Sequence, residues 1–313
     1  MAISGISSAN GVTALPQALL AVYSREIMHL ALPAMRYEQF AVIKDELTRQ
    51  PGTSITFTIY NNLGLGGQLT EGINMVPKNM TASQISIQVI EFGNAVAVTE
   101  YLLQSSYDDV LSEAAYELGR DYSRVVDLML RNTVMTCTNV IWSGGVTSNG
   151  QTSAVISMND VRRAVEIMYT ANVPKIENDF YICFVHPHQA TSLKRDPDWV
   201  SAQLYGQQAA IYRGEIGKFD DVRFIATGHQ NNGAVASTDP AYDSSLVGTG
   251  AGGINLYRSV LFGDTFFGWA VGLPVEMRDN GVQDFGRQHA LAWYSIMGSG
   301  ILLNSNGVLL VTA

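Results

Sequence analysis

The sequence predicts a mixed α+β protein organised around one long helix and one extended hairpin, and three observations carry that expectation. Apolar residues Leu111, Ala115, Leu118, Tyr122, Val125 and Met129 recur at helical spacing within a stretch, 105–139, that contains no proline. Just before it, residues 53–60 (TSITFTIY) and 84–99 (QISIQVIEFGNAVAVT) alternate apolar with polar residues, the two-residue period of strands. After it, a compact helix-and-strand region gives way to strand-rich sequence that continues to the C-terminus.

Taken in order, residues 1–15 are small and polar, which suits a loose arm. Pro16 then opens a helix through about Leu32, with Leu19, Leu20, Tyr23, Ile27 and Leu30 on one side and Pro33 as its stop. The arm lacks the basic start of a signal peptide, and its apolar run from Ala18 to Tyr23 is far below the ~20 residues of a membrane helix, so a cytoplasmic chain with no membrane partner is expected.

Residues 53–60 and 84–99 read as the two strands of one hairpin. The second is longer than the ~10 residues at which strands usually stop, and its phase slips. Ile85, Ile87 and Val89 share one side, whereas Ile90, Phe92, Val96 and Val98 continue on the other, so a bulge or twist is expected near Ile90 or Gly93. Residues 61–83 between the strands carry Gly64, Gly66, Gly67, Gly72 and Pro77 together with Leu63, Leu65, Leu69, Ile73, Met75, Val76 and Met80. A two-stranded ribbon has no core in which to bury those side chains, so they are expected to contact a partner chain.

The long helix is expected to begin at Ser105 or Ser106, each followed three residues later by an aspartate, Asp108 or Asp109. Its opposite face carries Glu113, Glu117, Arg120, Arg124, Asp127 and Arg131, which read as solvent-facing. The loop 142–154 marks a lobe boundary. Beyond it Ser157 and Asp160 cap a helix over 158–171, with Val161, Val165 and Met168 inward. Tyr181–Val185 is a continuously apolar strand, His186-Pro187-His188 leads into a short helix ending near Arg195, and 222–227 is a further strand. Residues 228–253 form a polar loop. The segment 291–297 is a strand, and 301–304 with 308–312 reads as a hairpin turning at Ser305-Asn306-Gly307.

Composition and charge narrow the function. A content of 47% hydrophobic and 15% charged residues is that of a well-filled globular chain, and the net charge of −9 with no basic run argues against a nucleic-acid-gripping surface. Cys137 and Cys183 sit in apolar elements and read as buried free thiols. His186 and His188 could share a face as a ligand pair, but Pro187 ends the strand between them and no third ligand is near in sequence. Asp196, Asp198, Asp220, Asp221, Asp239 and Asp243 lie mostly in connections, where aspartate serves turns. Gly64-x-Gly66-Gly67 lacks the lysine of a phosphate loop, and neither Ser143-Gly144-Gly145 nor Ser299-Gly300 has the context of a serine nucleophile. No catalytic, cofactor-binding or metal-binding residue is assigned, and no cofactor is expected.

The order of these elements, together with SITFTIYNNLGLGGQLTEG and AVAVTEYLLQSSYDDVLSEAAYELGRDYSRVVD, resembles the HK97-like major capsid (coat) proteins of tailed double-stranded DNA bacteriophages, and those two stretches are similar to a podovirus-type coat family. The resemblance implies an HK97-like fold with residues 1–50 as N-terminal arm and helix and 51–104 as the extended hairpin, or E-loop. It makes 105–141 the spine helix of a peripheral domain, 142–255 the axial domain, and 256–313 returning strands that complete both. It implies a subunit that self-assembles into hexamers and pentamers of an icosahedral shell around packaged DNA, in the virion capsid, after assembly in the host cytoplasm. The DNA would be enclosed without sequence-specific binding, which suits an acidic wall. Portal and cement proteins are implied partners, and any scaffold would be a separate protein, because only some fifty residues precede the hairpin. Some relatives cross-link an E-loop lysine to a neighbour's asparagine, and Lys78 is the residue here in a matching place; a solvated surface lysine is the plainer expectation. An encapsulin-like nanocompartment shell is an alternative of the same fold, and a soluble α/β enzyme or ligand binder one of a different class.

Overall fold

The computed structural model describes residues 36–45, 52–60, 63–68, 71–72, 74, 77–105, 110–148, 151–176, 179–199, 215–228 and 256–313. The expected N-terminal arm and helix, the capping residues 106–109 and nearly all of the polar loop 228–253 lie outside these residues.

Strand β1 (Val42–Lys44) is followed by β2 (Ser54–Tyr60), β3 (Ala82–Gln88) and β4 (Ile90–Thr99). A short helix α1 (Glu100–Ser105) precedes the long helix α2 (Val110–Met135). Then come β5 (Val140–Trp142), α3 (Met158–Thr170), β6 (Tyr181–Val185), α4 (Pro187–Arg195), β7 (Glu215–Phe219) and β8 (Val222–Ala226). The chain ends with β9 (Tyr257–Phe262), β10 (Phe267–Gln283), β11 (Gln288–Ile301) and β12 (Gly307–Thr312).

These strands make a six-stranded sheet in the order β5-β12-β9-β6-β8-β7, a four-stranded sheet β1-β10-β11-β4, and the β2-β3 ribbon. The six-stranded sheet is covered on both faces. Ile182, Phe184, Val260, Phe262, Leu309 and Val311 join a core shared with α2 and the four-stranded sheet, whereas Tyr181, Cys183, Val185, Leu261, Val308 and Leu310 face α3 and α4. That double burial is why 181–185 is apolar without alternation, and all five of its residues are buried. Helix α3 starts where the sequence places it: Ser157 and Asp160 form a reciprocal capping box, and Val161, Val165 and Met168 are buried. Both cysteines are free and buried, as expected, and burial pushes their thiols up from the ordinary cysteine range.

Helix α2 has 26 residues and is roughly 39 Å long. It lies on the four-stranded sheet through Tyr122, whose ring meets Trp293 edge-on at 5.4 Å, and through Asp121, which accepts a hydrogen bond from the Trp293 indole at 3.0 Å. Two residues expected on its solvent face are instead buried: Asp127 is 0% and Arg131 4% exposed. The reason is that the helix is covered on more than one side. The Asp127 carboxylate accepts the backbone N–H groups of Arg36 and Tyr37 at 2.9 and 3.0 Å, tying the segment before β1 onto the helix. Leu111, Val125 and Met129 are only partly buried. The helix also starts later than expected, because Ser105 belongs to α1.

The expected single strand over 84–99 is two strands in two sheets. Its phase slip marks the break: β3 pairs with β2, the chain passes through Val89, and β4 pairs with β11 from Met297↔Ile90 to Gln288↔Thr99. The expected C-terminal hairpin is also corrected. Residues 301–304 do not pair with 308–312; β12 instead runs parallel to β5 and antiparallel to β9. Both segments are apolar enough for a hairpin, but β12 needs two covered faces and finds them only in the centre of the six-stranded sheet.

Candidate intersubunit surface

The β2-β3 ribbon leaves the body of the protein with one face seated and one face bare. Along it Ile55, Phe57 and Ile87 are buried against Ala270 and Leu302, while Ser54, Thr56, Thr58, Gln84 and Ser86 face outward. The seat is made by glycines of β10 and β11. A Cβ on Gly268 would stand 3.0 Å from the Phe57 ring, and one on Gly300 2.9 Å from the Ile87 side chain. At Gly298 a Cβ would stand 2.1 Å from the carbonyl oxygen of Gln88, where the chain leaves one sheet for the other. These glycines fix where the ribbon departs. Lys44 adds a clamp, with Nζ donating to the Thr56 carbonyl at 3.2 Å and lying 5.1 Å from the centre of the Phe57 ring.

Burial fades toward the tip. Ile59 and Ile85 are half-buried, and Tyr60, Leu63, Leu65 and Met80 are exposed, Leu65 at 94%. Lys78 Nζ donates to the carbonyls of Leu65 and Gly64 at 2.5 and 3.2 Å, so the lysine braces its own loop. Of the expected contact residues, Leu63, Leu65 and Met80 are therefore exposed on the extension, whereas Leu69, Ile73, Met75 and Val76 lie outside the described residues. Ile90, at 58% exposure on the edge strand β4, and the glycine seat were missed by sequence reasoning. The phase slip at Ile90 was the available signal for the first, while glycines 268, 298 and 300 acquire meaning only from what packs on them.

A groove of about 550 Å³ runs between α2 and β4, lined by Phe92, Val125, Leu128, Met129 and Trp293 and crossed by a hydrogen bond from Asn94 to Asp121 at 2.9 Å. It is mainly apolar, and it holds no cluster of acid, base and nucleophile.

The remaining candidates for chemistry have structural partners. His186 caps α4: its Nδ1 accepts the His188 N–H at 3.2 Å, and both imidazoles lie against the Tyr257 ring. Burial, then the neighbouring His188, pulls the His186 imidazole below its ordinary value, which favours the neutral form that can accept this bond. Asp196 accepts the N–H groups of Met158 and Asp198, and Asp198 pairs with Arg162 at 2.9 Å. Asp220 and Asp221 take left-handed conformations in the β7-β8 turn, where Asp221 accepts from Lys175 and Tyr169. Asp239 and Asp243 lie outside the described residues. Among the described residues no group of three or more His, Cys, Asp or Glu side chains is placed to hold a metal. None of their helices is long and apolar enough to cross a membrane.

Comparison with solved structures matches this architecture almost end to end. The capsid of cyanophage P-SCSP1u superposes with a TM-score of 0.66 at 15% identity, over 89% of this chain and 88% of that one. The capsid of Ralstonia phage GP4 gives 0.65 at 16% identity, over 89% and 90%, and that of cyanophage Pam1 gives 0.67 at 14%, over 90% and 91%. The fold is that of the HK97-like phage capsid proteins. Within this capsid fold, residues 147–299 also match the family model described as phage capsid protein. No curated protein matches at the sequence level. The capsid-type match spans α3, α4 and most of the β10-β11 pair, so it covers parts of both larger sheets.

Proposed function

We propose that this protein is the structural subunit of the capsid shell of a tailed double-stranded DNA phage. The observation that carries the reading is the match of residues 147–299 to the phage capsid family, set in a chain whose whole fold is that of capsid proteins. Its role is architectural rather than enzymatic, and it works in the virion by associating with copies of itself.

Several finer points belong to the same proposal. The podovirus-type coat family is the subgroup that the wording of 54–72 and 95–127 favours. Residues 51–104 act as the E-loop, 105–141 as the spine of a peripheral domain, 142–255 as the axial domain and 256–313 as strands returning to both, with 1–50 as an arm. Hexamers and pentamers form the shell, with separate scaffolding, cement and portal proteins as partners. In the shell, Leu63, Leu65, Leu69, Ile73, Met75, Val76 and Met80 lie on a neighbouring subunit, and the apolar groove beside α2 offers receiving surface of the right kind. The net charge of −9 keeps the wall from gripping DNA, because few phosphates are neutralised and few counterions released.

Expression of the chain with electron microscopy and size-exclusion chromatography tests this reading. Capsomers, tubes or closed particles are the expected products; a small, closed oligomer under every assembly condition would overturn it. The shell is expected to be held by area alone, since many weak contacts sum through multivalency. Lys78 is engaged with its own loop and both thiols are buried, so particles boiled in SDS without reductant should give one band near 34.0 kDa. A ladder surviving reductant would contradict this and implicate Lys78.

A further inference from the structure

The groove between α2 and β4 contains one strong acceptor that is only half used. Asp121, Val125, Leu128 and Asn132 fall on one line of the helix and form one wall, while Phe92 of β4 and Trp293 of β11 form the other. Leu128 and Trp293, 3% and 2% exposed, make the floor, and the partly buried Val125, Met129 and Phe92 rise from it. Asp121 takes the Trp293 indole N–H and the Asn94 amide on the same oxygen, Oδ2, at 3.0 and 2.9 Å. Those two bonds hold the carboxylate in place and leave Oδ1 with no hydrogen bond among the described residues. Nor does any described cation pair with it, and the adjacent Arg120 is taken by Glu117 at 2.8 Å. The polar groups at the other end are already engaged. Asn132 Oδ1 accepts from the Arg131 guanidinium at 2.8 and 3.1 Å, and the Thr133 hydroxyl bonds to that of Ser299 at 2.5 Å.

We propose that this groove is a binding site for a small amphiphilic amine, whose protonated amino group donates to Asp121 Oδ1 while its apolar ring or chain lies along Val125, Leu128, Met129 and Trp293. A space of about 550 Å³ with apolar walls and few fixed polar groups is the usual form of a small-molecule site. The free carboxylate oxygen then selects by charge: it repels an anion, bonds a neutral hydroxyl modestly and bonds an ammonium most strongly. The inference goes beyond the shell reading. That reading offers the groove to a neighbour's apolar side chains, so the amine site belongs to the subunit before assembly.

Tryptamine, tryptophol and indolepropionate share one ring and differ in their terminal ammonium, hydroxyl and carboxylate, so together they read the charge selection. Titrated into the isolated full-length subunit and followed by ligand-detected NMR, tryptamine should bind about tenfold tighter than tryptophol, with indolepropionate the weakest. Asp121→Asn keeps a carbonyl for the Trp293 indole but loses the charge, so tryptophol should bind as before while the preference for tryptamine disappears. Met129→Trp fills the groove and should weaken tryptamine binding whatever happens at Asp121. Equal affinities for tryptamine and tryptophol, or no detectable tryptamine binding to the parent, would overturn the proposal. So would an undiminished preference in Asp121→Asn, or parent-level binding to Met129→Trp. Each of these results is read on unassembled subunits, so none of them touches the shell reading, which fails only if the parent chain does not assemble.

Discussion

Leu118→Asp is expected to leave no soluble subunit, whereas Arg120→Ala, two residues away, should leave the unfolding midpoint within experimental error. Leu118 is 2% exposed in the core that joins α2 to both larger sheets, alongside Tyr122, Val126 and Trp293. Losing a buried leucine costs about 2 to 5 kcal/mol, and an unpaired buried carboxylate adds several more, which together consume most of the ~5 to 15 kcal/mol that holds a domain folded. Arg120 pairs with Glu117 at 2.8 Å, but both side chains are more than half exposed, and an exposed helical pair of that kind contributes about 0.3 to 0.5 kcal/mol. Asp127→Ala should fall between them. It removes the carboxylate that accepts the Arg36 and Tyr37 amides, at about 1.5 to 3 kcal/mol for each charge-assisted bond. Soluble yield reads Leu118→Asp, and urea titration of the other two should place Asp127→Ala below Arg120→Ala; a soluble Leu118→Asp of parent-like stability would mean that α2 is not the core helix.

The second large effect is expected at Gly298. A valine there sets its Cβ against the Gln88 carbonyl oxygen, and since the obstacle is backbone, no rotamer can relieve it. Either β3 or β11 must move, and the ribbon loses its seat at the point where the chain changes sheets. Gly298→Val should therefore keep the helical circular dichroism of the subunit yet fail to assemble, because the exposed leucines point to the wrong place. Gly66→Ala, with nothing within 4 Å of its Cβ, is the matched control and should assemble as the parent does. Normal shells from Gly298→Val would show that the departure angle of the ribbon is not set by this contact.

How far the sequence discloses this molecule depends on whether a feature is local. The Ser157–Asp160 capping box and the run 181–185 are local statements about hydrogen bonds and burial, and both hold in the structure. The phase slip at Ile90 is local as well, but its meaning is not: periodicity reports which side of a strand is apolar, not which sheet will cover it. The same blindness produced a hairpin from 301–312, where two apolar segments adjacent in sequence join different sheets. Asp127 and Arg131 read as solvated because a charge at the expected period is solvated by default, and nothing local reveals the distant backbone amides that Asp127 binds. On the candidate surface, Leu63, Leu65 and Met80 were legible because leucines and a methionine in a glycine-rich loop have no core to enter.

The central claim, that the extension 63–80 is ordered by burial against a neighbouring copy, is tested most directly by chymotrypsin digestion of isolated subunits and assembled particles side by side. Isolated subunits should be cut at Tyr60, Leu63, Leu65 or Met80, which are exposed, and the body of the protein should survive. Assembled particles should resist at those same bonds. Equal cutting in both states, or equal resistance in both, would contradict the account, because the extension would then gain nothing from its neighbours.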